Sequence, residues 1–114
     1  MKYSEVIPYI LSFDQVTRRT ISESGTAIVF CLQERIFAYF ETGAPIQWKL
    51  SLEVSEAQLR ELIYPPQITH AKDKPAGHWI TIARVENCDE ELLKELIAGS
   101  YARAQAKNAT PVGV

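Results

Sequence analysis

The chain has 114 residues, 46% of them apolar and 23% charged, with 12 Lys and Arg against 14 Asp and Glu for a formal net charge of −2. That length is one domain, able to bury roughly two thirds of its unfolded surface without staples, and the charge balance excludes a nucleic-acid binder held by total charge alone. No apolar run approaches the roughly 20 residues of a membrane span. The opening MKYSEVIPYI lacks the pattern of a signal peptide, and the two distant cysteines, Cys31 and Cys88, fit a reducing cytosol better than a disulfide framework. The expected location is cytoplasmic.

Tyr3, Val6, Ile7, Ile10 and Leu11 recur at helical spacing, so Tyr3 to Phe13 is expected to form a helix of about two to three turns. Pro8 leaves its start open, because proline suits the first helical position and costs a hydrogen bond further in. Val16–Ile21 reads as a short edge strand or as loop. The β-branched and aromatic runs 26–32 and 35–40 are separated only by Gln33-Glu34, which predicts a hairpin, with a turn of two residues or a looser one. After a turn at Thr42-Gly43-Ala44-Pro45, Ile46, Trp48, Leu50, Leu52 and Val54 alternate strictly with Gln47, Lys49, Ser51 and Glu53, the pattern of a strand with one buried and one wet face.

Ser55 and Gln58 have capping-box spacing and open a short helix with Leu59, Leu62 and Ile63 inward, ending at Tyr64-Pro65-Pro66. Residues 67–77 are irregular, with a short strand in 67–71 as one alternative, and His78–Val85 is expected to be a strand. Asn87, three residues before Glu90, is the expected cap of the last helix, whose core stripe is Leu92, Leu93, Leu96, Ile97 and Tyr101. Gly99 inside that helix, at a cost of about 1 kcal/mol against Ala, suggests close packing.

The resulting order is α-β-β-β-α-(β)-β-α. Short turns pair successive strands antiparallel, and three amphipathic helices need one common face to cover. The expected fold is an α+β two-layer sandwich, an antiparallel sheet with helices on one face. Residues 1–107 form a single domain and 108–114 a frayed tail.

Candidate chemistry is sparse. A metal site at His70 and His78 would need two more ligands, with Asp73 the one nearby carboxylate. Cys88 sits at a helix start, but three acidic residues follow it and no paired His is evident. Glycine-rich phosphate loops are missing. The expectation is a non-enzyme with no catalytic residues, no metal and no cofactor.

The segment Gly77-His78-Trp79-Ile80-Thr81-Ile82, the acidic and Leu-rich helix Asp89 to Ile97, and the pair Ser100-Tyr101 resemble the C-terminal half of the MmcQ/YjbR family. A strand ending near Lys49, a short helix over 56–63 and Tyr64-Pro65 extend the likeness over residues 35–107. The chain departs from the family at Ser12-Phe13-Asp14-Gln15, where a Pro-Gly turn is usual, and at Ala71 to Pro75, where Met-Asn-Lys often precedes the His-Trp pair. The resemblance implies a CyaY-like or secretion-chaperone-like α+β fold, the family-motif residues His78, Trp79, Ser100 and Tyr101, and a DNA-binding role without assigned catalytic residues.

DNA contact would fall to Arg18, Arg19, Arg35, Lys49, Lys72 and Lys74, since phosphate binding needs local density of cations rather than net positive charge. The rival expectation is a protein-interaction, homodimer or small-ligand face. Ile36, Ala38 and Phe40 alternate with Phe37 and Tyr39, so apolar atoms should remain on the outer side of the sheet, with Phe37 and Tyr39 as contacts. A flanking loop or the C-terminal tail could equally cover that side.

Overall fold

Apolar periodicity and turn chemistry set the elements in this computed structural model, which describes residues 1–21, 27–42, 48–64, 67–71 and 77–109. Helix α1 spans Tyr3–Leu11 and buries Val6 and Ile10 completely. Its first turn is closed by the Glu5 side chain accepting the Lys2 N–H at 2.9 Å. Pro8 lies inside the helix, so the carbonyl of exposed Ser4 goes without its intrahelical donor.

Six strands follow: β1 (Val16–Ile21), β2 (Ala27–Leu32), β3 (Arg35–Thr42), β4 (Trp48–Val54), β5 (Ile68–His70) and β6 (His78–Ile82). They form one sheet in the order β1-β2-β3-β4-β6-β5 with every pairing antiparallel. The ambiguous segment 16–21 is therefore a true edge strand, and 68–70 forms the opposite edge. The hairpin between β2 and β3 turns on two residues, with Gln33 at φ 58°, a left-handed conformation that glycine adopts more readily.

Helix α2 (Glu56–Leu62) starts at the predicted capping box, in which Gln58 N–H donates to Ser55 Oγ at 3.1 Å and Ser55 N–H to Gln58 Oε1 at 3.0 Å. A 3-10 turn (Val85–Asn87) precedes helix α3 (Glu90–Ala109). The cap of α3 is Asp89, whose Oδ2 accepts Leu92 N–H at 3.0 Å, rather than Asn87, which the 3-10 turn occupies. The described part of α3 runs through Asn108, so that residue belongs to the fold and not to a tail; residues 110–114 lie outside the described residues.

All three helices pack on one face of the sheet, around a core that includes Val6 and Ile10 of α1, Leu93, Leu96 and Ile97 of α3, and Leu50, Leu52, Ile80 and Ile82 of the central strands. Leu59 and Leu62 of α2 are half-buried against it. Gly99 is half-buried, and the neighbour a Cβ there would meet is Arg103 Nη1 of the same helix, 3.2 Å away, rather than another element. The α+β sandwich is the architecture expected from the element order.

One irregularity changes the meaning of the outer face. The β2–β3 register shifts between Phe30↔Ala38 and Cys31↔Ile36, leaving Phe37 as an extra residue. Both Phe37 and Ala38 are therefore in the core, each 0% exposed, although a regular strand would send them to opposite faces. Phe37 is corrected from an outer-face contact to a core residue against the Tyr101 ring, centroids 5.9 Å apart.

Candidate functional site

The register identifies the outer face as the rows Arg19–Val29–Tyr39–Ser51–Thr81 and Glu53–Trp79, continued by Cys31. At its centre this is not an open apolar surface. Val29, Cys31, Ser51, Glu53 and Trp79 are each at most 5% exposed. Tyr39 is half-buried with its ring 5.5 Å from that of Trp79, and Arg19 Nη2 donates toward Cys31 Sγ at 3.8 Å. The expected wet side of β4 is thus largely dry, with Lys49 its exposed residue among those described.

The bulge opens a cleft at one end of this face. Pairing between β3 and β4 begins at Ala38↔Leu52, so Arg35, Ile36 and Phe37 stand apart from Glu53 and Val54. Ser100 Oγ of α3 donates to the carbonyl of the unpaired Phe37 at 2.7 Å, fully buried. Without that hydroxyl the splayed strand would bury an unsatisfied acceptor. Tyr101, the other half of the Ser-Tyr pair, donates from its hydroxyl to the Asp14 carbonyl at 2.8 Å.

The cleft has a volume of about 550 Å³ and is lined by Gln33, Glu34, Arg35, Ile36, Glu53, Trp79 and Asn108. Glu53 has a side chain only 6% exposed, and Lys107 Nζ reaches it from α3 at 2.6 Å while remaining 42% exposed itself. Asn108 fixes the opposite wall: its Nδ2 donates to the Leu32 carbonyl and its Oδ1 accepts from Arg35 Nε, both at 3.1 Å. The Trp79 indole Nε1 is buried without a hydrogen-bond partner among the described residues. Gly77, at φ 129°, lies so close to Glu53 that a Cβ there would collide with the carboxylate oxygen.

The residues expected to contact DNA do not converge. Arg18 and Arg19 are neighbours on β1 and so point to opposite faces. Lys49 on β4 pairs in register with Glu41, three strand spacings or about 14 Å from β1. Arg35 is tied to Asn108 at the cleft, and Lys72 and Lys74 lie outside the described residues. Of the family-motif residues, His78 is exposed at the start of β6, whereas Trp79, Ser100 and Tyr101 are buried.

Cys88 is half-buried, and its thiol is pushed up by burial and then by the Asp89 charge, opposite to what an activated nucleophile needs. Among the described residues no group of three His, Cys, Asp or Glu could hold a metal ion. No described helix is long and apolar enough to cross a membrane.

Sequence patterning missed Glu53, Lys107 and Asn108 as members of one site. The strand alternation places Glu53 on a wet face, and the composition of residues 108–114 places Asn108 in a tail. No local motif joins positions 54 residues apart, such as Glu53 and Lys107; the available signal was Gly77, which precedes a Trp-containing strand.

No family model and no curated protein matches the chain. Its fold is similar to that of a Deinococcus radiodurans protein with a DUF419 domain, with a TM-score of 0.78 and 24% identity, covering 96% of this chain and 82% of that one. It is also similar to a Pseudomonas syringae protein, with a TM-score of 0.74 and 18% identity, covering 91% of this chain and 99% of that one. At these identities the likeness defines the α+β fold class alone.

Proposed function

We propose that the chain is a cytoplasmic, non-enzymatic binding domain of the MmcQ/YjbR type whose site is the cleft between the β2–β3 hairpin and the end of β4. The observation that carries this is the interrupted β3–β4 ladder, whose gap holds a buried carboxylate paired with a part-exposed ammonium, beside an indole N–H that has no partner among the described residues. Such a concentration of buried polar groups stabilises a fold poorly, and pockets with a few convergent polar groups are where small ligands bind. The outer face contributes through Trp79, which lines the cleft and packs against the Tyr39 ring, rather than as a broad contact surface.

DNA binding, the role implied by the family resemblance, is the rival reading, and its cations are dispersed over two faces of the sheet. The test is a nuclear magnetic resonance titration of the full chain with acetamide, guanidinium and benzoate in turn, and separately with mixed-sequence duplex DNA at about 50 mM salt. Fragment-induced shifts at Gln33, Arg35 and Trp79 are expected. The reading is overturned if no fragment moves these signals, or if duplex DNA binds through Arg18, Arg19 and Lys49 with a steep salt dependence while the cleft stays silent.

A further inference from the structure

We infer that the cleft takes a small ligand bearing an oxyanion, a carboxylate or phosphate group, gripped by the Arg35 guanidinium with the Trp79 indole N–H as a further donor. The inference rests on the cleft being a binding site and adds the chemistry of what enters it.

Among the described residues, the buried polar atom of the cleft lining that lacks a partner is a donor, Trp79 Nε1. Arg35 donates from its Nε to Asn108 Oδ1, and Asn108 is itself anchored on the Leu32 carbonyl of β2. That arrangement fixes the guanidinium plane while, among the described residues, leaving Nη1 and Nη2 without partners. Two parallel N–H groups of this kind match the paired oxygens of a carboxylate or phosphate. The Trp79 N–H, on a residue 2% exposed, is a second donor with no acceptor among the described residues. An indole N–H can only donate, so an acceptor is what it lacks.

The carboxylate in the cleft does not oppose this. Glu53 is compensated by Lys107 at 2.6 Å, so the pair presents no net charge to a guest. Glu34, exposed on the hairpin turn, is the lining carboxylate for which the described residues provide no ion pair. It weakens the field of Arg35 from the solvent side, where water screens it.

The test is a titration of isotope-labelled protein with sodium phosphate and, in a second arm, sodium acetate, each at constant ionic strength with sodium chloride as the control. The signals followed are the Arg35 Nε–H and the Trp79 indole N–H, the latter assigned by Trp79→Phe. At least one oxyanion is expected to shift both signals saturably with Kd of about 1–10 mM, and the tighter arm identifies the group as phosphate or carboxylate. Arg35→Gln, a change at the exposed first residue of β3, should weaken binding about tenfold or more, and Arg35→Lys should restore only part of it. Glu34→Gln should tighten it about twofold.

Shifts that chloride reproduces, an unsaturated response in both arms, or an Arg35→Gln variant that binds like the parent would each overturn the inference. If acetamide or guanidinium moves the cleft signals while neither oxyanion does, the cleft remains a binding site and only its anion chemistry is refuted. If no probe moves them, both conclusions fall.

Discussion

Replacing Lys107 by Met removes the counter-charge of Glu53 while keeping most of the aliphatic stem. The cost follows from the unequal burial of the pair. Breaking a fully buried ion pair costs about 3–5 kcal/mol, whereas exposed pairs contribute about 0.2–1 kcal/mol. Here the carboxylate is 6% exposed and the ammonium 42%, so the abandoned group is the buried one and the deleted group was partly hydrated. The expected loss is about 1.5–3 kcal/mol, the range for a hydrogen bond to a charged group. With 114 residues and about 2.1 cal/mol/K of unfolding entropy per residue, the transition carries about 0.24 kcal/mol/K, so the midpoint should fall by about 6–12 °C. Urea unfolding with an unchanged m-value is the direct assay. Adding Glu53→Gln to Lys107→Met should recover more than half of the loss, because an amide in that position buries no charge. The reasoning is refuted if Lys107→Met lies within about 0.5 kcal/mol of the parent, or if the double variant is no more stable than the single one.

Gly77→Ala should destabilise by about 1–3 kcal/mol in the same urea assay, since it places a Cβ at φ 129° against the Glu53 carboxylate; a neutral result would remove Gly77 from the site. Ser100→Ala should cost about 1–3 kcal/mol by leaving the Phe37 carbonyl buried and unpaired, and thermal unfolding at the parent midpoint would contradict this. The Cys88 thiol is raised by burial and then by Asp89, so less thiolate is present at any given pH than for a free cysteine. Iodoacetamide should therefore modify native protein more slowly than unfolded protein, with a rate that climbs with pH. Alkylation at the free-cysteine rate near neutral pH would show the thiol to be open and unperturbed.

Much of the fold was legible because local signals and tertiary packing agree. The alternation through β4 makes a strand with Leu50, Leu52 and Val54 in the core, although its polar side is largely dry, and the Ser55–Gln58 box caps α2 as expected. Where local rules left alternatives, long-range contacts decided between them. Val16–Ile21 has five exposed residues and little apolar content of its own, yet it is a strand because β2 offers it a complete ladder from Val16↔Leu32 to Ile21↔Ala27. Pro8 is carried inside α1, where the turn on either side of it buries Val6 and Ile10. Asn87 and Asp89 are equally good caps by residue type; the 3-10 turn at Val85–Asn87 leaves the role to Asp89.

The cleft was hidden for a different reason. Strand patterning assigns faces by parity, and one extra residue reverses parity for everything on its far side. Phe37 and Tyr39 share a parity in the sequence, but the register shift between Phe30 and Cys31 puts the first in the core and leaves the second outside. That same shift frees Arg35 and Ile36 from β4, which opens the cavity, and exposes a strand carbonyl that α3 must satisfy through Ser100. Two of the motif residues that carried the resemblance therefore have roles that no linear pattern states: Ser100 closes the buried side of the split, and Trp79 lines its open side. The irregularity, its repair and the cleft are one structural feature. A substitution that restored regular pairing across residues 35–38 would be expected to close the cleft and to displace Phe37 from the core together.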